Sequence, residues 1–130
     1  MWMIDETVGE FGRSLGMSDL RLRDDGGIVL GIERIGILAI EMIGERQEEV
    51  ALSLSREIDR PDENACRRAL ELSHYRNPSR WPVHAALAGG GNLVFTLQME
   101  THDFMLSNIH EAIEVLTRLQ DAMDTFVRAR

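Results

Sequence analysis

The chain has 130 residues and a formal net charge of −8, and its composition is 44% hydrophobic and 28% charged. This length and composition predict one globular domain, residues 1–130, and exclude an intrinsically disordered protein. The excess of acidic residues disfavours nucleic acid and anionic membranes as partners, because both bind clustered positive charge.

Three further features of the sequence indicate a soluble, cytoplasmic protein. Cys66 is the single cysteine, so no disulfide bond forms within the chain, as is usual in a reducing compartment. No segment reaches the roughly 20 apolar residues that span a bilayer. Residues 1–6 lack the basic and apolar regions of a secretory signal.

Apolar spacing in the first half of the chain predicts one helix followed by strands. Ile4, Val8, Phe11 and Leu15 share one helical face, and Gly16 is a natural stop for a helix over 3–15. An Asp-Gly turn within 24–27 predicts a hairpin. Alternating residues predict four strands, at 20–23, 28–33, 35–43 and 50–55.

The second half returns to helical spacing after Pro61. Asp62 is the expected N-cap of a helix that runs to about Tyr75, and a loop follows over 77–82. Two strands, 83–87 and 93–99, surround Gly89–Asn92, and a long helix covers 107–127. The sequence therefore predicts an α+β fold, a mostly antiparallel twisted sheet with three helices in the order α-β-β-β-β-α-β-β-α.

The strands at 28–33 and 35–43 are apolar on both faces, which is typical of strands that are buried on both sides. Three helices in so short a chain can hardly cover both faces of the sheet. Either a second chain, a twin subunit or a client, covers the remaining surface, or a strongly twisted sheet folds over its own second face.

No cluster of residues indicates catalysis, a cofactor or a metal. Gly89–Gly91 precedes a strand rather than a helix, which favours a hairpin turn over a phosphate-binding loop. His110 and Glu114, with His102, lack the spacing of a zinc site and favour a solvated helix face. Cys66 has no nucleophile signature, so a small buried apolar role is favoured. We expect a protein that is not an enzyme.

The order of short motifs resembles a known family. Residues 11–17 end the first helix with Phe-Gly-Arg-Ser-Leu-Gly-Met, and a Leu-Arg-Leu segment, an Asp-Gly turn and the apolar strands 28–33 and 37–41 follow. This pattern resembles the class I chaperones of bacterial type III secretion, the Tir chaperone (CesT-like) family, over nearly the whole chain. Glu33 stands where the family usually has aspartate.

The resemblance implies a homodimer without ATPase activity, which binds the N-terminal segment of a secreted effector in extended form and keeps it secretion-competent. The alternative is a regulatory protein of the same fold that sequesters a transcriptional factor or its antagonist. The positions that match the family's client-binding elements, some of which must belong to the core, are Val8, Phe11, Leu15, Val29, Leu38, Ile40 and Met42. The expected dimer contacts are Leu70, Leu72 and Trp81, although Trp81 also fits the edge of the core.

Overall fold

The computed structural model of the protein describes residues 2–74 and 79–129. The alternating segments of the sequence form one sheet, and the segments with helical spacing form its helices. The elements are α1 Trp2–Ser14, β1 Gly27–Ile32, β2 Gly36–Ile43, β3 Glu49–Glu57, α2 Glu63–Leu72, β4 Val83–Ala88, β5 Asn92–Glu100 and α3 Leu106–Ala129. The strands pair antiparallel throughout, in the order β1-β2-β3-β5-β4. The predicted α+β class is confirmed.

The predicted strand at 20–23 is wrong, and the sheet has five strands over the described residues. Leu20 and Leu22 pack on the hydrophobic core instead of pairing with β1. The Asp-Gly turn does close, because the backbone N–H of Arg23 donates to Gly27 and that of Gly26 donates to Arg23. The ladder ends there, so β1 becomes an edge strand.

The end of α1 explains why the chain leaves β1 unpaired. Gly16 has a φ of 81°, and the N–H groups of Met17 and Gly16 donate to the carbonyl oxygens of Gly12 and Arg13. This Schellman arrangement ends the helix. A Cβ atom built on Gly12 would lie 2.6 Å from the Cβ of Leu20, so the segment after the helix folds tightly back over Gly12.

The remaining boundaries follow the sequence prediction closely. The Asp62 carboxylate accepts a hydrogen bond from the N–H of Ala65, which confirms it as the N-cap of α2. A 3₁₀ turn at Gly89–Gly91 joins β4 to β5, as expected for a hairpin. The predicted helix end at Tyr75 and the loop residues Asn77 and Pro78 lie outside the described residues.

The core lies between one face of the sheet, called here the inner face, and the helices. The inner face of β3 and β5 is fully buried beneath α3, and both Val8 and Phe11 of α1 complete the same cluster. Side chains of β5 alternate strictly, with Leu93, Phe95 and Leu97 buried and their neighbours in sequence less so. The helices therefore cover one side of the sheet and leave the other open.

None of the described helices combines the length and the apolar character that crossing a membrane requires.

Candidate functional site

The face of the sheet opposite the helices, called here the outer face, exposes apolar side chains on β1 and β2. Val29 is 54% exposed and Ile37 is 50% exposed. The register pairs Val29 with Ala39 and Gly31 with Ile37, so these residues form one continuous surface. Exposed apolar side chains grouped in this way are typical of a surface that another molecule covers.

The edge of β1 is open and lacks two of the usual protections against pairing. Its sequence, Gly-Ile-Val-Leu-Gly-Ile, has no charge and no proline. The N–H of Met42 donates to Gly26, and antiparallel bonds alternate along a strand. The backbone groups of Val29 and Gly31 therefore point away from β2, toward solvent. They offer hydrogen bonds to an added strand.

The opposite edge of the sheet has different surroundings. β4 follows Pro82, and α2 packs beside it. A proline at the start and a neighbouring helix are two of the features that restrict pairing at an edge. The two edges of the sheet are thus unequal, and β1 is the one that is open to an added strand.

Charge on the outer face is negative. The register places four carboxylates there, Glu41, Glu49, Glu57 and Glu100, and the guanidinium of Arg23, which precedes β1, lies beside Gly27 on the same face. Glu49 and Glu100 stand directly opposite each other, an arrangement that like charges make unfavourable. Arg56 projects to the inner side, where its Nη1 atom lies 2.8 Å from Asp121 and 2.7 Å from Asp124 of α3.

Four of the predicted client-binding residues belong to the core of this chain. Val8, Phe11, Leu38 and Ile40 are at most 1% exposed, so no client can contact their side chains in this conformation. The reason is face selection: Leu38 and Ile40 point inward and their neighbours point outward. Met42 is also on the inner face and is half-buried. Leu15 and Val29 are exposed.

The three predicted dimer residues lie in three different environments. Leu70 is 63% exposed on α2, whereas Leu72 is half-buried against the core. Trp81 is buried, and the Arg80 guanidinium lies 4.4 Å from its ring centroid. Arg80 Nε in turn donates to Glu111 at 3.0 Å. The structure therefore favours the core-edge interpretation of Trp81, and Leu70 is the dimer candidate that a second chain can reach.

Within residues 2–74 and 79–129, no group of three or more His, Cys, Asp or Glu residues is arranged to hold a metal ion. His102 lies between Glu100 at 3.1 Å and Asp103 at 3.5 Å, all three well exposed or half-buried. The ring of His110 packs edge-on against Phe11 with 6.0 Å between centroids.

Sequence reasoning did not include Ile37 among the candidate client-binding residues. The signal for Ile37 was present, because apolar residues on both faces of 35–43 predict an exposed or externally covered side.

Comparison with known proteins agrees with this fold. A family model described as the type III secretory system chaperone SycN matches residues 2–123. The Yersinia pestis type III secretion chaperone SycH, solved with a stable fragment of YscM2, is 19% identical with a TM-score of 0.69, over 94% of this chain and 98% of that chain. A chain of the ExsC–ExsE complex is 19% identical with a TM-score of 0.72, over 98% of this chain and 92% of that one.

A third structural relative is the HopA1–SchA chaperone–effector complex, at 17% identity and a TM-score of 0.67, covering 95% of this chain and 91% of that chain. A sequence comparison with curated proteins finds no match. The family model spans almost the whole chain and confirms the predicted resemblance to type III secretion chaperones, without specifying the CesT-like branch. The protein belongs to the type III secretory system chaperone SycN family.

Proposed function

We propose that residues 1–130 form one ATP-independent chaperone domain that acts in the cytoplasm on a secreted effector. It binds the N-terminal segment of that effector in extended form and keeps it soluble and competent for secretion. The proposal assigns it no catalytic step. The observation that carries it is the open, uncharged edge of β1 beside exposed Val29.

Strand addition is the binding mode that suits this edge. The backbone groups of Val29 and Gly31 supply hydrogen bonds to an extended segment, and alternate side chains then pack on the two faces of the sheet. Ordering a disordered segment is unfavourable, so an apolar surface must offset it. Ile37 and Val29 provide such a surface. The HopA1–SchA structure, which shares the fold, is a chaperone–effector complex, and this supports an effector as the partner.

A homodimer is part of the proposal. Leu70, exposed on α2 next to β4, is the contact we assign to it. A large apolar side chain with 63% exposure is a suitable anchor for a second copy of α2. The dimer then lies at the β4 end of the sheet, and the open edge of β1 at the other end stays accessible to the client.

Affinity capture tests the function. The tagged protein is expressed in its native host under secretion-inducing conditions, and the captured proteins are identified by mass spectrometry after limited proteolysis. We expect one secreted protein, protected over an N-terminal stretch. Val29→Asp should lose it, whereas Thr125→Asp, on an exposed position of α3, should retain it.

Two other outcomes contradict the proposal. Capture of a transcription factor or its antagonist in place of a secreted protein supports the regulatory alternative. Capture of a secreted protein by Val29→Asp as efficiently as by the unmodified chain removes the β1 edge as the binding site.

A further inference from the structure

Gly31 occupies an unusual position on the open edge. We propose that one large apolar side chain of the client packs directly over Gly31, on an extended client segment paired with β1. This position over Gly31 is called here the seat. The inference rests on the proposed function and adds to it the residue that selects the client.

Space is the first reason. A Cβ atom built on Gly31 meets no atom of the described residues within 4 Å, its two chain neighbours aside. Gly31 lies on the outer face near Val29 and opposite its own cross-strand partner, Ile37. Both neighbours are about half exposed and apolar. The missing side chain leaves open space beside these two apolar side chains. Gly27, on the same face, differs, because a Cβ there would lie 3.3 Å from Nη2 of Arg23.

The second reason is that nothing within the chain requires glycine here. The register of β1 and β2 continues through Gly31 without a bulge. Its φ is not positive, unlike that of Gly36 at 136°. Glycine inside a strand is less favourable than alanine by about 0.5–1 kcal/mol. Close approach by another molecule is one of the known reasons for a glycine inside a strand, and β1 has neither a bulge nor a positive φ at this position.

Charge identifies the kind of segment that fits. On the outer face, the four carboxylates of the strands outnumber the Arg23 guanidinium beside Gly27, so the face as a whole is negative. Acidic residues beside the seated side chain would be repelled, and arginine or lysine would be attracted. The occupant is therefore an extended effector segment with one large apolar residue and basic or uncharged neighbours. Such side chains pack readily over a glycine at a sheet edge.

The test uses a labelled synthetic peptide that spans the N-terminal stretch protected in the captured effector. Its binding is measured by fluorescence anisotropy to the unmodified chain, to Gly31→Val and to Gly89→Val. The control position is equally open, since a Cβ on Gly89 also meets nothing within 4 Å, and it lies in the turn between β4 and β5. We expect Gly31→Val to fold normally, because valine favours strands, and to bind at least about tenfold more weakly. Gly89→Val should bind like the unmodified chain.

An alanine scan of the peptide locates the seated residue. One large apolar position should weaken binding to the unmodified chain when truncated, and should have no further effect on binding to Gly31→Val. If Gly31→Val does not fold, Gly31→Ala replaces it in the same cycle.

The outcomes separate the two proposals. Equal binding of the peptide to the unmodified chain and the folded Gly31 variant overturns the seat and leaves the chaperone function in place. Failure of the unmodified chain to capture any secreted protein overturns both.

Discussion

The side-chain Nε2 atom of Gln120 donates a hydrogen bond of 2.8 Å to the carbonyl oxygen of Leu54. The same nitrogen lies 2.9 Å from the carbonyl oxygen of Leu93, on the neighbouring strand. Gln120 is fully buried, so both bonds form away from water. One polar side chain of α3 therefore fixes the helix to β3 and β5 in the middle of the core.

Replacement of Gln120 should destabilise the fold in a manner that depends on the substitute. Gln120→Leu removes the donor from two buried carbonyl groups, and we expect a loss of about 1–3 kcal/mol in the free energy of unfolding. Gln120→Glu keeps the shape of the side chain, but an ionised carboxylate cannot donate a hydrogen bond. This variant should therefore lose more free energy of unfolding than Gln120→Leu. Urea unfolding followed by circular dichroism measures both.

The pH dependence of Gln120→Glu has a definite sign. Burial raises the pKa of a carboxyl group in the folded state above its unfolded value of about 4.3. The unfolded state therefore loses its proton first as the pH rises, and the variant should be less destabilised at pH 4.5 than at pH 7.5, relative to the unmodified chain measured at each pH. Equal destabilisation at both would contradict the buried position.

Gly12→Ala should destabilise the protein, because its Cβ would overlap Leu20, at 2.6 Å. Overpacking of this kind costs about 1–3 kcal/mol. Gly9 is the matched control on α1, since a Cβ there meets only the flexible end of Arg13, at 3.4 Å. Gly9→Ala should leave stability unchanged or raise it by up to about 1 kcal/mol. Thermal unfolding of Gly12→Ala and Gly9→Ala measures the difference. Equal midpoints would disprove the close approach of Leu20 to Gly12.

These contacts mark the limit of sequence-based prediction for the fold. Helices and strands followed from periodicity, and Asp62 followed from cap chemistry. The prediction of a strand at 20–23 was wrong because Leu20 packs closely against Gly12 of α1. Leu20 packs against Gly12 because glycine has no side chain. Such a contact cannot be recognised from the alternation of apolar residues in the sequence.

Leu70→Arg should convert a dimer into a monomer, because it places a charge on the surface assigned to the second copy. The neighbouring Glu71→Gln alters an exposed side chain of the same helix and should preserve the dimer. Light scattering coupled to gel filtration measures the mass of each. A dimeric Leu70→Arg protein with native circular dichroism would mean that the chains associate elsewhere.

Val29→Asp and Leu38→Asp should have opposite consequences although both lie on neighbouring strands. Val29 is exposed, so its variant should fold and lose the client. Leu38 is fully buried, so its variant should unfold or lose several kcal/mol, as expected for an unpaired buried charge. Circular dichroism and capture of the effector distinguish them. A stably folded Leu38→Asp protein would contradict the assignment of inner and outer faces.

The candidate surface was only partly predictable, because the sequence does not show which face of each strand points outward. Apolar residues on both sides of β2 indicated an exposed or covered second face, but a shift of one residue exchanges the two faces. Leu38 and Ile40 were therefore assigned to the client, and Ile37 was missed. The edge of β1 is open because residues 20–23 do not form a strand beside it. Only the three-dimensional structure reveals this.

Hydrogen exchange of the free chain and of its complex with the captured effector tests the central claim most directly. The backbone N–H groups of Val29 and Gly31 point to solvent in the free chain and should exchange quickly. We predict that the effector slows exchange at these two positions, because an added strand accepts their hydrogen bonds. Unchanged exchange along β1 in a complex of full occupancy would contradict binding at this edge.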